Sequence, residues 1–530
     1  MKTLGIISDI FRRWFPIIVI VCVSCSKGTP PFPHDPADVK ENPTTITLTV
    51  AHPDVVLFKT KADDKGPYEM PYTEAESAIR NLVFFIFDVD LEGRESIGFD
   101  QIFEVSSPVF TTGTYTFEQV VSLKPGRKHI YVAANISPEQ RELIYDSCYD
   151  YPDFKVDDII LTGNSHEEAL ANVIRDDMTH SGQGTDILMF AQAFIGDPSN
   201  PDTEIFVQGN QPSYYLGAQL KRLVTKVLVT CKEDETGYVY SGGTFIIPTS
   251  DIRYCLNTTS KQIFLKERFN SSAEINETPG WLLQDYSDKT GDNTYRQHYA
   301  YSSGGDLVSK VQDPRFSAVP EVYDENRLTV DENHYTAGLY CLENTVHAGD
   351  GSWTDIDAVA GFATTHIALR IRMIPKTIKH TGLSETLLTS DNWSSVLAAG
   401  KDASNVYYPA GTYWVCTKEG STTFYSYSGY QEMIAGGSAA ETDFVKYEGG
   451  YNWFYTFIEG GLQTSDGTIL SYEGDSYWGI SRNEYYIVNI SSITRTGEPT
   501  PDGDYIRINS ETIPWIGRGT QKVVIKPKVE

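Results

Sequence analysis

The stretch Thr44-Thr45-Ile46-Thr47-Leu48-Thr49-Val50 alternates without a break, with Ile46, Leu48 and Val50 on one face and Thr45, Thr47 and Thr49 on the other. A period of two built from β-branched residues is the pattern of a strand buried on one side. The chemistry recurs along the chain. Ile79 to Phe87 is apolar almost throughout, as a strand covered on both faces must be, and Asp88, Asp90, Glu92 and Gly93 close it as a turn. His129 to Ala134, Leu220 to Thr230 and Thr244 to Ile247 read as further strands of the first half. In the second half the strands are Ala337 to Leu342, His366 to Ile374, Tyr413 to Cys416, Trp453 to Ile458 and Tyr485 to Ile490. Helical patterning is confined to Pro138 to Ile144 and to a start at Ser165 with Glu168 at its capping-box position. The fold class is therefore all-β with a few short helices, and 33 Tyr, 24 Phe and 42 Gly suit strands joined by tight turns. A chain of 530 residues exceeds what one core serves, so two β-sandwich domains are expected, 44–270 and 271–530.

Ahead of the first strand, Lys2, Arg12 and Arg13 precede an apolar run from Trp14 to Val23, followed by Ser24 and Cys25. This is the layout of an export signal over 1–24, too short for a spanning helix, which needs about 20 apolar residues. The small residue before Cys25 matches a lipobox and makes Cys25 the candidate for acylation, although Cys22 stands where that pattern has Leu. Residues 25–43, with Pro30, Pro31, Pro33, Pro36 and Pro43, read as an extended tether. The formal charge of −28 repels nucleic acid and anionic membrane surfaces, so membrane contact is expected through the lipid alone.

No nucleophile elbow, phosphate loop or dinucleotide fingerprint occurs, and the ten histidines stand singly. Neither an enzymatic activity nor a metal or cofactor site is expected. Beyond the signal, Cys148, Cys231, Cys255, Cys341 and Cys416 are odd in number and widely spaced, which is no disulfide framework. Trp414, Tyr425, Tyr427, Trp453, Phe454 and Tyr455 could stack on sugar rings or pack a sandwich, and the alternation around Trp453 favours packing.

Several segments in order, Ile79-Arg80-Asn81-Leu82-Val83-Phe84-Phe85-Ile86-Phe87, Ile130-Tyr131-Val132-Ala133-Ala134-Asn135, Leu220-Lys221-Arg222-Leu223-Val224-Thr225-Lys226-Val227, Cys341-Leu342-Glu343-Asn344, Arg482-Asn483-Glu484-Tyr485-Tyr486 and Pro514-Trp515, resemble the fimbrillins of Bacteroidales, the subunits of type V pili, and within them the minor-fimbrium shaft branch. The resemblance implies two tandem transthyretin-like β-sandwiches, export as an outer-membrane lipoprotein precursor, and head-to-tail polymerisation into a cell-surface fimbrium that serves adhesion and biofilm. It further implies that a protease cuts the loop after the first strand, within 44–72, and that the strand then leaves. The family cuts after arginine; this loop offers Lys59, Lys61 and Lys65, of which Lys61 is the candidate.

Loss of that strand would uncover the groove filled by Ile46, Leu48 and Val50, each worth roughly 1.5–3 kcal/mol when buried. A tail at 505–530, with Val523 and Ile525 on one face behind Gly517 and Gly519, is the candidate donor from another copy. Such a contact is heterologous and produces filaments, with anchor and tip subunits as further partners. Two other readings share the exported β-sandwich: a surface glycan-binding lipoprotein, and an uncleaved anchor or tip subunit of the pilus.

Overall fold

The computed structural model describes residues 42–525 except 53–75, 77, 112, 152, 164–165, 176–185, 197–200, 209–212, 232–240, 249–250, 258, 261, 270–275, 278–294, 297–316, 319–338, 348–364, 419–422, 459–476 and 501–520. Strand β1 (Asn42–Ala51) contains the alternating stretch, and Ile46, Leu48 and Val50 are buried while Thr45, Thr47 and Thr49 are half-buried. It is followed by β2 (Asn81–Val89), β3 (Ile102–Ser106), β4 (Thr114–Leu123) and β5 (Gly126–Ala134). Helix α1 (Pro138–Asp150) comes next, then β6 (Met189–Gln192), β7 (Ile205–Val207), β8 (Ser213–Gln219) and β9 (Lys221–Arg222).

These strands make two sheets. One has the order β8-β1-β4; the other runs β9-β6-β5-β2, with β3 added on β2 and β7 on β5. Their inner faces meet in one core, where Phe84 of β2 stacks on Phe117 of β4 at 3.9 Å between ring centroids. Strand β2 lies between β5 and β3, and its residues from Leu82 to Phe87 are all buried, as its unbroken apolar run requires. The acidic turn behind it closes on Asp90, whose carboxylate accepts from the backbone N–H of Glu92 and Arg94. Helix α1 begins at Ser137 in a capping box with Gln140 and runs six residues past the expected Ile144, seating Ile144 and Ser147 against the core. The second expected helix is present at His166–Ala171, with Ser165 outside the described residues.

The second half is built from β10 (Thr225–Cys231), β11 (Ile252–Asn257), β12 (Leu339–Cys341), β13 (His366–Arg372) and β14 (Thr377–Lys379). It continues with β15 (Tyr413–Cys416), β16 (Thr423–Tyr425), helix α2 (Tyr427–Ala435), β17 (Phe444–Tyr447), β18 (Tyr451–Phe457), β19 (Tyr485–Ile493) and β20 (Gln521–Ile525). One sheet has the order β12-β10-β19-β20, and a second contains β11-β13-β18. They enclose a second core, across which the Tyr254 hydroxyl donates to the Val227 carbonyl at 3.3 Å. A third sheet contains β14-β16-β15-β17 and joins the same core through Phe424, which meets Phe245 edge-on. The all-β class holds throughout. Among the described residues no helix is long and apolar enough to cross a membrane.

The run Leu220 to Thr230, read as one strand, is two. Leu223 and Val224 belong to the first core, whereas Val227 and Val229 belong to the second, so the chain changes layers at Val224–Thr225 and the ladder breaks there. The boundary expected at 270 therefore does not coincide with the change of core. Phe245 to Leu256 already pack in the second core, while Ile263 and Leu265 return to the first, joined there by Tyr340 and Leu342. Residues 42–530 form one unit.

Candidate assembly site

Strand β1 sits in a slot. It pairs parallel with β8, from Thr45 opposite Ser213 to Ala51 opposite Gln219, and antiparallel with β4, from Asn42 opposite Leu123 to Ala51 opposite Thr114. Thr44, Ile46, Leu48 and Val50 face the first core. Strand β8 leans heavily on this neighbour: on its far edge the described pairing is a single bridge, in which Phe194 and Gly217 exchange both backbone hydrogen bonds. A side chain at Gly217 would have its Cβ 2.7 Å from the Phe194 ring, so glycine is what allows that bridge. An emptied slot would leave the edges of β4 and β8 unpaired and three aliphatic side chains' worth of core open to water.

The other candidate element, β20, lies parallel to β19 at the edge of its own half's sheet, with Val523 opposite Ile490 and Ile525 opposite Ile493. The tail is thus paired in the single chain; the side chains of Val523 and Ile525 are outside the described residues, as are Cys25, Lys59, Lys61 and Lys65.

The two halves meet at a buried polar joint. Glu76, fully buried, accepts on its carboxylate from Lys226 of β10 and from the Tyr340 hydroxyl, and its carbonyl accepts from Arg222 Nε at 3.1 Å. Burial lowers the Lys226 pKa, and the Glu76 carboxylate opposes that shift. Asn483, held at φ 57°, donates its N–H to the Val224 carbonyl and accepts the Arg222 N–H. Arg482 pairs with Glu343 at 2.7 Å, both side chains 1% exposed, and also donates to the carbonyls of Phe264 and Leu265. Glu484 accepts from the Tyr486 hydroxyl, and burial pushes its carboxyl from the ordinary 4.5 up to about 8. Three of the segments quoted for the family resemblance, at 220–227, 341–344 and 482–486, supply most of these residues. The sequence reading did not see the joint; Arg222 and Lys226 inside a β-prone apolar run were its one signal, since a charge there must be partnered.

Glu484 gives a pH prediction with a definite sign. The unfolded chain loses this proton near 4.5 and the folded chain keeps it to about 8, so stability falls as pH rises between those values and is level above them. Glu484→Gln removes the titration. In urea unfolding the variant should gain on the parent chain between pH 5 and pH 8.5; a constant difference across that range would show that Glu484 is ionised in the fold.

The remaining sequence candidates resolve plainly. Trp453 and Phe454 are wholly buried, and Trp414 and Tyr425 are core residues of a small aromatic cluster in which Trp414 stacks on Tyr430 at 5.2 Å beside α2. These rings pack against one another rather than offering an open face. Cys148, Cys341 and Cys416 are free thiols, and burial pushes Cys148 up to about 11.

Sequence families locate the chain. Residues 44–203 match the family described as major fimbrial subunit protein (FimA), and residues 445–515 match fimbrillin, C-terminal, of the major fimbrial subunit protein type IV. Both stretches are matched by families of fimbrial subunits. The chain is accordingly a structural, non-enzymatic subunit of a cell-surface fimbrium, assembling with other fimbrial subunits. No curated protein matches this chain. Among solved structures, it is similar to a fimbrilin (FimA) from Porphyromonas gingivalis W83, at 12% identity over 92% of this chain and 98% of the other, with a TM-score of 0.36. A fimbrial assembly protein from Parabacteroides distasonis gives 13% identity over 63% and 86%, TM-score 0.29. The C-terminally truncated tip fimbrial protein Mfa3 from P. gingivalis gives 12% over 84% and 94%, TM-score 0.29.

Proposed function

We propose that this fimbrial subunit is exported as a lipoprotein acylated at Cys25, is cut after Lys61, loses β1, and polymerises when the strand around Val523 and Ile525 of another copy fills the vacated slot. The observation that supports this most is the position of β1: a complete central strand, apolar on its inner face, flanked by β4 and β8 and followed by a long polar loop. Nothing else in the sheet replaces it, so the emptied slot has a strong requirement for a strand of the same pattern. Strand β20 is suited to leave because it lies at a sheet edge and its described pairing is to β19 alone, so β10 and β12 keep their ladders without it.

N-terminal sequencing of protein recovered from fibres tests the cut. The expected first residue is Ala62; a fibre protein that still begins at Cys25 with β1 in place would identify an uncleaved anchor or tip subunit instead. Retention on polysaccharide gels by a chain that forms no oligomers would favour the glycan-binding reading.

A further inference from the structure

We propose that Glu76 is a latch that ties the two cores into one cooperative unit. A single residue here addresses three strands. Its carboxylate takes Lys226 from β10, in the second core's sheet, and the hydroxyl of Tyr340 from β12, whose ring packs in the first core; its carbonyl takes Arg222 from β9, in the first core's sheet. Two residues further on, the Ala78 carbonyl accepts from the Asn135 side chain, and that side chain also accepts the Arg80 N–H and donates to the Ile187 carbonyl. A continuous set of bonds therefore runs from the ends of β2 and β5, through Glu76, to β10 and β12.

Charge makes this connection selective. Lys226 and Glu76 are both fully excluded from water, so each has strong need of the other, and the dry surroundings strengthen their attraction. Take away the carboxylate and both an ammonium and a phenol lose an acceptor inside the protein. The ion pair Arg482–Glu343 makes a second tie, but both its members come from the second half of the chain, and among the described residues Arg482 reaches toward the first core through the carbonyls of Phe264 and Leu265. Glu76 also follows Lys61 in sequence. On the reading that the loop is cut there, the latch stays with the processed chain and keeps the cores coupled while the first strand is exchanged. The coupling itself does not depend on that reading.

The sequence supplies a natural pair of reporters. After Trp14, every tryptophan lies between Trp281 and Trp515, so tryptophan fluorescence follows the second half, while hydrogen exchange of peptides from β2 and β5 follows the first. In urea, the full chain from Cys25 onward with its first strand intact should show one midpoint by both probes. Glu76→Gln should part the two midpoints by roughly 1 M. Glu76→Gln with Lys226→Met, which removes the stranded ammonium, should raise both midpoints and leave them apart. Tyr340→Phe, a milder change suited to the case where Glu76→Gln does not fold, should part them by less. Separate midpoints in the parent chain, midpoints that fall together in Glu76→Gln and Tyr340→Phe, or a double variant whose midpoints rejoin would each overturn the latch. Because none of these measurements involves fibres, a failure of strand replacement would leave their outcome unchanged.

Discussion

A chain ending at Arg518 is expected to fold, to be exported and to remain monomeric. Residues 519–530 include β20, which lies at a sheet edge, so their loss removes one ladder and leaves β19 supported by β10. In the proposed assembly the same residues supply every backbone bond and every inward side chain that one copy gives the next, so fibre formation should fall below detection. Light scattering and electron microscopy of the processed, truncated chain would check this, and fibres of ordinary length would exclude the tail as donor. Supplying a peptide of residues 519–530 in trans should occupy the slot and block growth of the intact chain. The same peptide with Val523→Asp and Ile525→Asp should do neither, since two carboxylates would enter an apolar groove unpartnered.

Leu48→Ala is expected to act on one state of the molecule alone. Leu48 is wholly buried in the first core, and truncating such a side chain costs about 2–5 kcal/mol, enough to lower the stability of the uncut chain severely. In the proposed fibre β1 has been discarded, so fibres grown from whatever precursor survives should melt like those of the parent chain. Denaturant midpoints of precursor and of purified fibre, compared between the two sequences, decide it. Equal destabilisation of both would mean that the first strand is retained in the assembly.

Much of this fold could be read from local patterning because strands with one wet face declare themselves by alternation. Ile46, Leu48 and Val50 fell on the buried side, and Tyr413 to Cys416 was bounded to the residue. The unbroken apolar run at 82–87 likewise identified a strand covered on both sides. The division between cores was not legible, because it depends on which layer a residue faces rather than on its polarity. Tyr340 and Cys341, adjacent and both buried, serve different cores, as alternation along a strand wedged between them dictates. Nor was the joint legible. Its ionic partners Glu76, Arg222, Lys226, Glu343 and Arg482 come from segments more than a hundred residues apart, and their charges are ordinary until the fold removes the water. The same holds for Glu484, whose pKa is raised first by enclosure and further by the nearby carboxylates of Glu267 and Glu343.

The mixed pairing of β1 carries a consequence for filament direction. One wall of the slot runs with β1 and the other against it, so an incoming strand of either polarity meets one parallel and one antiparallel neighbour. Backbone bonding therefore barely discriminates head-first from tail-first entry, and Ile-x-Leu-x-Val reversed is still a row of three aliphatics. The vectorial sense of the growing rod must be inscribed in side-chain shape and in where the donor is tethered, which implies that a guest segment with its order inverted could be engineered to seat in the same berth.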